Sequence, residues 1–179
     1  GAHLVPTKSG DADTYNANSD RTLCALLSEL PLEKAVMVTY GGDDSLIAFP
    51  RGTQFVDPCP KLATKWNFEC KIFKYDVPMF CGKFLLKTSS CYEFVPDPVK
   101  VLTKLGKKSI KDVQHLAEIY ISLNDSNRAL GNYMVVSKLS ESVSDRYLYK
   151  GDSVHALCAL WKHIKSFTAL CTLLPRRKG

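Results

Sequence analysis

Gly41-Gly42-Asp43-Asp44 lies between two short β-prone runs, Ala35 to Tyr40 (AVMVTY) and Ser45 to Phe49 (SLIAF). Runs of this kind joined by glycine and aspartate read as an antiparallel hairpin, because the turn residues tolerate the unusual dihedrals and the flanks favour a sheet. The two adjacent carboxylates repel one another on so tight a turn. A bound divalent cation would compensate, since magnesium takes one or two carboxylates and leaves its other positions to water and phosphate oxygens. A plain solvated turn competes with that reading, glycine and aspartate being the commonest turn residues.

The chain has 179 residues, enough for one domain or two small lobes with a real core. Apolar residues at 45% and charged residues at 23% match ordinary globular usage, which sets aside disorder, collagen and coiled coil. Charge interrupts every apolar stretch before the roughly 18 residues that a membrane span needs. Gly1 to Pro6 has neither a basic nor an apolar leader region, so no secretory signal is expected. The net charge of +6 is compatible with a polyanionic partner. Seven cysteines (Cys24, Cys59, Cys70, Cys81, Cys91, Cys158 and Cys171) form an odd set without a C-x-x-C pair. They read as reduced, mostly buried thiols of an intracellular protein, not as a disulfide framework or zinc ribbon. His155 and Cys158 fall at i, i+3 on a helix face, but two ligands make a poor metal site, and core or surface roles are the better reading.

Along the chain, Leu23, Leu26, Leu27 and Leu30 recur at i, i+3, i+4, i+7, the apolar stripe of a helix ended by Pro31. Asp57-Pro58 offers a cap and a first-turn proline for a helix to about Asn67. Glu69 to Lys74 and Met79 to Lys87 read as strands, the latter paired with Tyr92 to Val95 across Thr88-Ser89-Ser90. From Asp97 the pattern turns helical. Asp97-Pro98 opens a short helix closed by Gly106, and Ser109-x-x-Asp112 resembles a capping box ahead of an amphipathic set from Ile110 to Ile121. Further helices are predicted over about 126–139 and 152–174. The expectation is an α+β chain, with antiparallel strands and helices over 1–96 and an all-helical part over 97–179.

Ser9-Gly10-Asp11-Ala12-Asp13-Thr14-Tyr15-Asn16-Ala17-Asn18 fits S-G-x-x-x-T-x-x-x-N, a glycine loop running into a helix. Thr14 and Asn18, at i and i+4, project a hydroxyl and an amide from one helical face. Such neutral groups can read a ribose 2′-OH, which both donates and accepts hydrogen bonds. An ordinary polar turn is the alternative. With both motifs in this order, the chain resembles the palm of viral RNA-dependent RNA polymerases. Ser9 to Asn18 looks like motif B, and Tyr40-Gly41-Gly42-Asp43-Asp44 like motif C. Trp66-Asn67-Phe68-Glu69-Cys70-Lys71 resembles motif D of the alphavirus-like plant virus group, and Phe80 to Leu86 resembles motif E. Pro96-Asp97-Pro98-Val99-Lys100 with Lys104-Leu105-Gly106 resembles the start of that group's thumb. The GDDSLIAFP and WNFECKIF wording is most similar to closterovirus replicases of the beet yellows virus type. The resemblance runs from about Pro6 to Leu174.

The resemblance implies a partial polymerase palm followed by a thumb, and two-metal nucleotidyl transfer with Mg²⁺ or Mn²⁺. Asp43 would be the main metal ligand and Asp44 an auxiliary one. Ser9, Gly10, Thr14 and Asn18 would position the nucleotide, and Lys71 would protonate the pyrophosphate, unless it is a solvated strand-edge lysine. Gly82 and Lys83 would grip the primer strand. Lys100 and Lys104, with Lys107, Lys108 and Lys111, would track RNA phosphates or form a solvated basic face. The family's motif A and fingers belong upstream of Ser9, so the chain is expected to be a fragment that is inactive alone. Implied partners are the RNA template and primer, NTPs, the upstream fingers, and the viral methyltransferase-helicase replicase protein. Implied localisation is the host cytoplasm, in membrane-associated replication complexes. A non-catalytic basic RNA- or protein-binding module is the rival class. A reverse transcriptase is a second rival, but it normally lacks the Ser-Gly…Thr…Asn loop.

Overall fold

The computed structural model describes residues 14–73, 77–107, 109–151 and 153–174; Ser9, Gly10, Lys108 and the side chain of Thr14 lie outside the described set. In chain order the elements are α1 (Thr14–Glu29), β1 (Met37–Gly41), β2 (Asp44–Ala48), α2 (Cys59–Trp66), β3 (Met79–Phe80), β4 (Lys83–Lys87) and β5 (Tyr92–Pro96). Then follow α3 (Pro98–Lys107), α4 (Val113–Ser126), α5 (Tyr133–Tyr147), α6 (Val154–Lys165) and α7 (Phe167–Leu173), with 3₁₀ turns at Leu32–Lys34 and Arg128–Gly131. The class is α+β, and the strands form two antiparallel sheets, β1-β2 and β3-β4-β5. The chain divides into two compact units, Gly1–Asp76 and Val77–Gly179.

In the first unit, Ala25 and Leu26 are buried whereas Leu27 is 59% exposed, so the packed face of α1 is narrower than the leucine stripe suggests. Leu62 on α2 is buried as well. The Asp57 carboxylate accepts the Cys59 N–H at 2.9 Å, and α2 stops at Asn67 in the left-handed conformation (φ 54°). Polar contacts bind α1 to α2 and its exit. Lys65 pairs with Glu29 at 2.9 Å, the Trp66 indole donates to Ser28 Oγ at 3.1 Å, and Arg21 donates to the Trp66 carbonyl at 3.3 Å. The Arg21 guanidinium also stacks over Phe68, 5.0 Å from the ring centre. The strand expected over Glu69 to Lys74 is absent across Glu69 to Phe73. The Phe68 N–H folds back onto the Leu62 carbonyl at 3.1 Å, and a β-prone composition forms a strand only where a neighbour supplies a ladder.

The second unit packs β4 and β5 against α5 and α6. Phe84, Leu86 and Val95 join Val135, Val136, Leu139 and Leu157 in its larger core, and Leu105, Ile119, Leu170 and Leu174 form a smaller one. The strands of this unit therefore pack with the helices that follow them, and the division between the two compact units falls at Asp76–Val77, ahead of the change of pattern near Asp97. Met79 to Lys87, read as one strand, is a hairpin instead. Cys81 and Gly82 take φ of 48° and 73°, the two positive values that a type I′ turn demands.

Three helix boundaries differ from the sequence reading, each through a side-chain cap. Asp112, not Ser109, caps α4, its Oδ1 accepting the His115 N–H at 2.7 Å. The helix expected near Ser126 begins at Tyr133, where Asn132 Oδ1 accepts the Met134 N–H at 3.0 Å. The long helix expected to Leu174 is broken at Ser166, whose Oγ accepts the Ala169 N–H at 3.3 Å. The carbonyls freed by that break find donors on α4, Asn124 Nδ2 for Ile164 at 2.9 Å and the Tyr120 hydroxyl for Lys165 at 2.8 Å.

All seven cysteines are free thiols, but Cys24, Cys81 and Cys91 are exposed and the other four only half-buried, so the expectation of mostly buried thiols is corrected. Burial, with hydrogen bonds to Cys70 and Asp57, pushes the Cys59 thiol up to about 12, so it remains protonated at physiological pH.

Leu148 ends α5 in the left-handed conformation (φ 52°) with 86% of its surface exposed. An L-residue costs roughly 1–2 kcal/mol there, whereas glycine adopts it freely. Leu148→Gly is therefore expected to stabilise the fold by about 0.5–1 kcal/mol after the extra unfolded-state entropy is subtracted, read as a rise in Tm.

Candidate functional site

The β1-β2 register runs from Met37 opposite Ala48 to Gly41 opposite Asp44, leaving Gly42 and Asp43 as a two-residue turn. Gly42 has φ +61° at the first central position, where type II′ turns take glycine. Asp43 and Asp44 are both exposed, while Gly41 and Gly42 are buried. The burial comes from α1. The Gly42 N–H donates to Ser19 Oγ at 2.8 Å, and the Gly42 carbonyl accepts from Thr22 Oγ1 at 2.9 Å. Ser19 passes its own proton to the Tyr15 carbonyl at 2.7 Å, and the Tyr15 ring covers the glycine so closely that a Cβ there would lie 3.6 Å from Cε2.

Sequence reasoning passed over Tyr15, Ser19 and Thr22. Their signal was the i, i+4, i+7 spacing, which puts two hydroxyls on the same face as the buried Leu26. Asn18 is half-buried beside Ser19, one turn from Thr14 at the start of α1. It sits about 60° round the helix from Tyr15, on the flank of the face that holds the turn. Lys71 is exposed in the irregular segment after α2, not on a strand edge.

Among the described residues no group of three or more His, Cys, Asp or Glu is placed to hold a metal ion. Asp43 and Asp44 supply two hard oxygen donors at an open turn. That donor set fits one side of a magnesium or manganese ion whose other positions go to water and phosphate.

In the second unit, Gly82 and Lys100 come together: a Cβ at Gly82 would lie 3.5 Å from Lys100 Cδ and 3.6 Å from its Nζ. Lys83 is exposed at the start of β4, and Lys104 and Lys107 continue from Lys100 along one face of α3. Asp97 organises this corner while fully buried. Its N–H donates to the Gly82 carbonyl at 3.0 Å and its Oδ1 caps α3 through the Val99 N–H at 3.0 Å. Its Oδ2 accepts the Tyr147 hydroxyl at 2.5 Å, with Arg146 Nε at 3.8 Å. Burial and the bond to Asp97 raise the Tyr147 phenol above its ordinary range, keeping it a donor. Sequence reasoning saw Asp97 as a helix opener within the thumb-like stretch, without its bonds to Gly82 and Tyr147. The basic excess also belongs to this unit, which holds sixteen lysines and arginines against eight acidic residues, whereas the first holds eight against ten.

The RNA dependent RNA polymerase family matches residues 4–173. The replicase large subunit of potato mop-top virus is 44% identical over 97% of this chain and 10% of its own length. The replicase large subunit of soil-borne wheat mosaic virus is 46% identical over 92% of this chain and 9% of its own. The RNA-directed RNA polymerase of barley stripe mosaic virus is 46% identical over 92% of this chain and 21% of its own. The chain thus spans about a tenth of the replicase large subunits and a fifth of the barley virus protein. These relatives replace the narrower expectation of a closterovirus type with a broader one. With most of its length matched and its glycine-aspartate hairpin in place, the chain belongs to the RNA dependent RNA polymerase family of alphavirus-like viral replicases.

Proposed function

We propose that this chain forms the motif B to thumb region of a viral RNA-dependent RNA polymerase and works in nucleotidyl transfer as part of a longer replicase. One observation carries the reading: the exposed Asp43 and Asp44 stand on a glycine turn held from behind by the helix that bears Asn18. Asp43 serves as the principal metal ligand and Asp44 as the auxiliary one. Magnesium or manganese, when bound, supplies charge neutralisation at the attacking 3′-oxygen and the leaving pyrophosphate. Asn18 and Thr14, with Ser9 and Gly10, position the incoming nucleotide and test its 2′-OH. Lys71 delivers the proton to the leaving pyrophosphate.

Residues 1–96 act as palm and 97–179 as thumb. The Gly82 turn, Lys83 and the row Lys100, Lys104 and Lys107 follow the primer and template backbone, where lysines act as point charges without reading sequence. The NTPs, the two RNA strands, the upstream motif A and fingers, and the methyltransferase-helicase protein are the partners. The place of work is the host cytoplasm, at membrane-associated replication complexes. No described helix is long and apolar enough to cross a membrane.

A filter-binding series at several salt concentrations, run beside primer extension, tests this reading on the 179-residue chain. RNA binding is expected to be weak, indifferent to sequence and steadily lost as salt rises, because each neutralised phosphate releases counterions. No extension is expected with Mg²⁺ or Mn²⁺, since two carboxylates alone do not hold a metal pair. Extension by this chain would mean that the catalytic carboxylates are elsewhere. Salt-insensitive, sequence-specific binding would favour a non-catalytic module.

A further inference from the structure

Asp43 has neighbours on a turn with little of its own to hold it still. Two strands by themselves are marginal in water, and among the described residues no third strand joins β1 and β2. Gly42, the residue before Asp43, offers no side chain to pack. Its only handles are one N–H and one carbonyl, and α1 takes both: Ser19 accepts from the first and Thr22 donates to the second. Ser19 is 8% exposed, so water is a poor substitute partner. Its proton is committed to the Tyr15 carbonyl, which leaves its oxygen free to accept from Gly42. One face of α1 thus holds one residue, Gly42, through both of its flanking peptide units, next to the carboxylate.

We propose that Ser19 and Thr22 are positioning residues that set the Asp43 carboxylate for metal binding and lock it in register with Asn18 on the same helix. This rests on the polymerase reading of the hairpin and adds to it the residues that fix its geometry. A turn held at both polar groups of Gly42 restrains the residue that follows it, and metal and nucleotide geometry tolerate only about 0.5 Å of error. Because Ser19 directly follows Asn18, a shift of α1 moves the sugar-reading amide and the metal-binding turn together. Neither hydroxyl touches substrate in this scheme. Both act through Gly42.

The test uses the full-length replicase with Ser19→Ala, Thr22→Val and the conservative Ser19→Thr, beside Asp43→Asn as reference. Mn²⁺ affinity is read by electron paramagnetic resonance, and exchange of the Gly42 amide by hydrogen-exchange mass spectrometry. For Ser19→Ala the expected results are about tenfold weaker Mn²⁺ binding, a matching rise in the metal concentration needed for half-maximal incorporation, and faster exchange at Gly42. RNA affinity should stay unchanged and Ser19→Thr should recover most of the loss. Ser19→Ala with unchanged Mn²⁺ affinity and metal requirement overturns the proposal, even if its thermal stability falls, since a merely structural hydroxyl would behave in that way. Where Asp43→Asn abolishes Mn²⁺ binding and Ser19→Ala leaves it intact, only the clamp fails. If Asp43→Asn itself binds Mn²⁺ and incorporates nucleotides normally, the polymerase reading of the turn fails first.

Discussion

Asp43→Asn in the full-length replicase is expected to lower nucleotide incorporation about a thousandfold, close to 4 kcal/mol of barrier, while leaving RNA affinity unchanged. The amide keeps the shape of the side chain but loses the charge that, on the proposed reading, would hold the cation. Asp43 is exposed at the second position of its turn, so the substitution disturbs no packing and the folded structure should survive. Steady-state incorporation measured beside RNA filter binding separates the two effects. Asp44→Asn should cost only about tenfold, because an auxiliary ligand can be replaced in part by water. An Asp43→Asn enzyme with substantial activity would remove the motif C assignment altogether.

Asp97→Ala is expected to cost about 3 kcal/mol of stability in the second unit. The loss combines the α3 cap, worth about 1 kcal/mol, with the Tyr147 hydrogen bond to a buried carboxylate, worth about 1.5–3 kcal/mol. The Arg146 pairing adds little, since that side chain is one-third exposed and its nitrogen stands 3.8 Å away. Asp97→Asn keeps one oxygen for the Val99 N–H and presents its amide N–H to the phenol oxygen, which can accept it, so it should lose less than half as much. Thermal unfolding of the three chains gives the comparison. An alanine variant as stable as the parent would show that the Gly82 corner is held by β4-β5 pairing alone. The same substitution should weaken RNA binding, because Asp97 joins the Gly82 turn to the helix that carries Lys100, Lys104 and Lys107.

Local chemistry determined the parts of this protein that the sequence made legible. The hairpin at Gly42-Asp43 follows from glycine's access to positive φ between sheet-forming flanks, and α2 follows from Asp57, Pro58 and Asn67 acting within one segment. The resemblance to viral polymerases marked Asp43, Asn18 and Gly82, and the family match agrees with the kind of protein that it implied. Tertiary structure decided what depends on partners distant in sequence. The break at Ser166 is stable only because Asn124 and Tyr120 on another helix take the carbonyls it frees. Glu69 to Phe73 forms no strand because a strand needs a ladder partner that composition does not supply. Ser19 and Thr22 look like ordinary helix-surface hydroxyls until β1 and β2 bring Gly42 over them, and Asp97 looks like a cap until Tyr147 arrives from fifty residues away. A cap or a turn is a bargain between neighbours in the chain and can be read there. A buried hydrogen bond between distant segments exists only once the fold has removed the water that would otherwise compete for it.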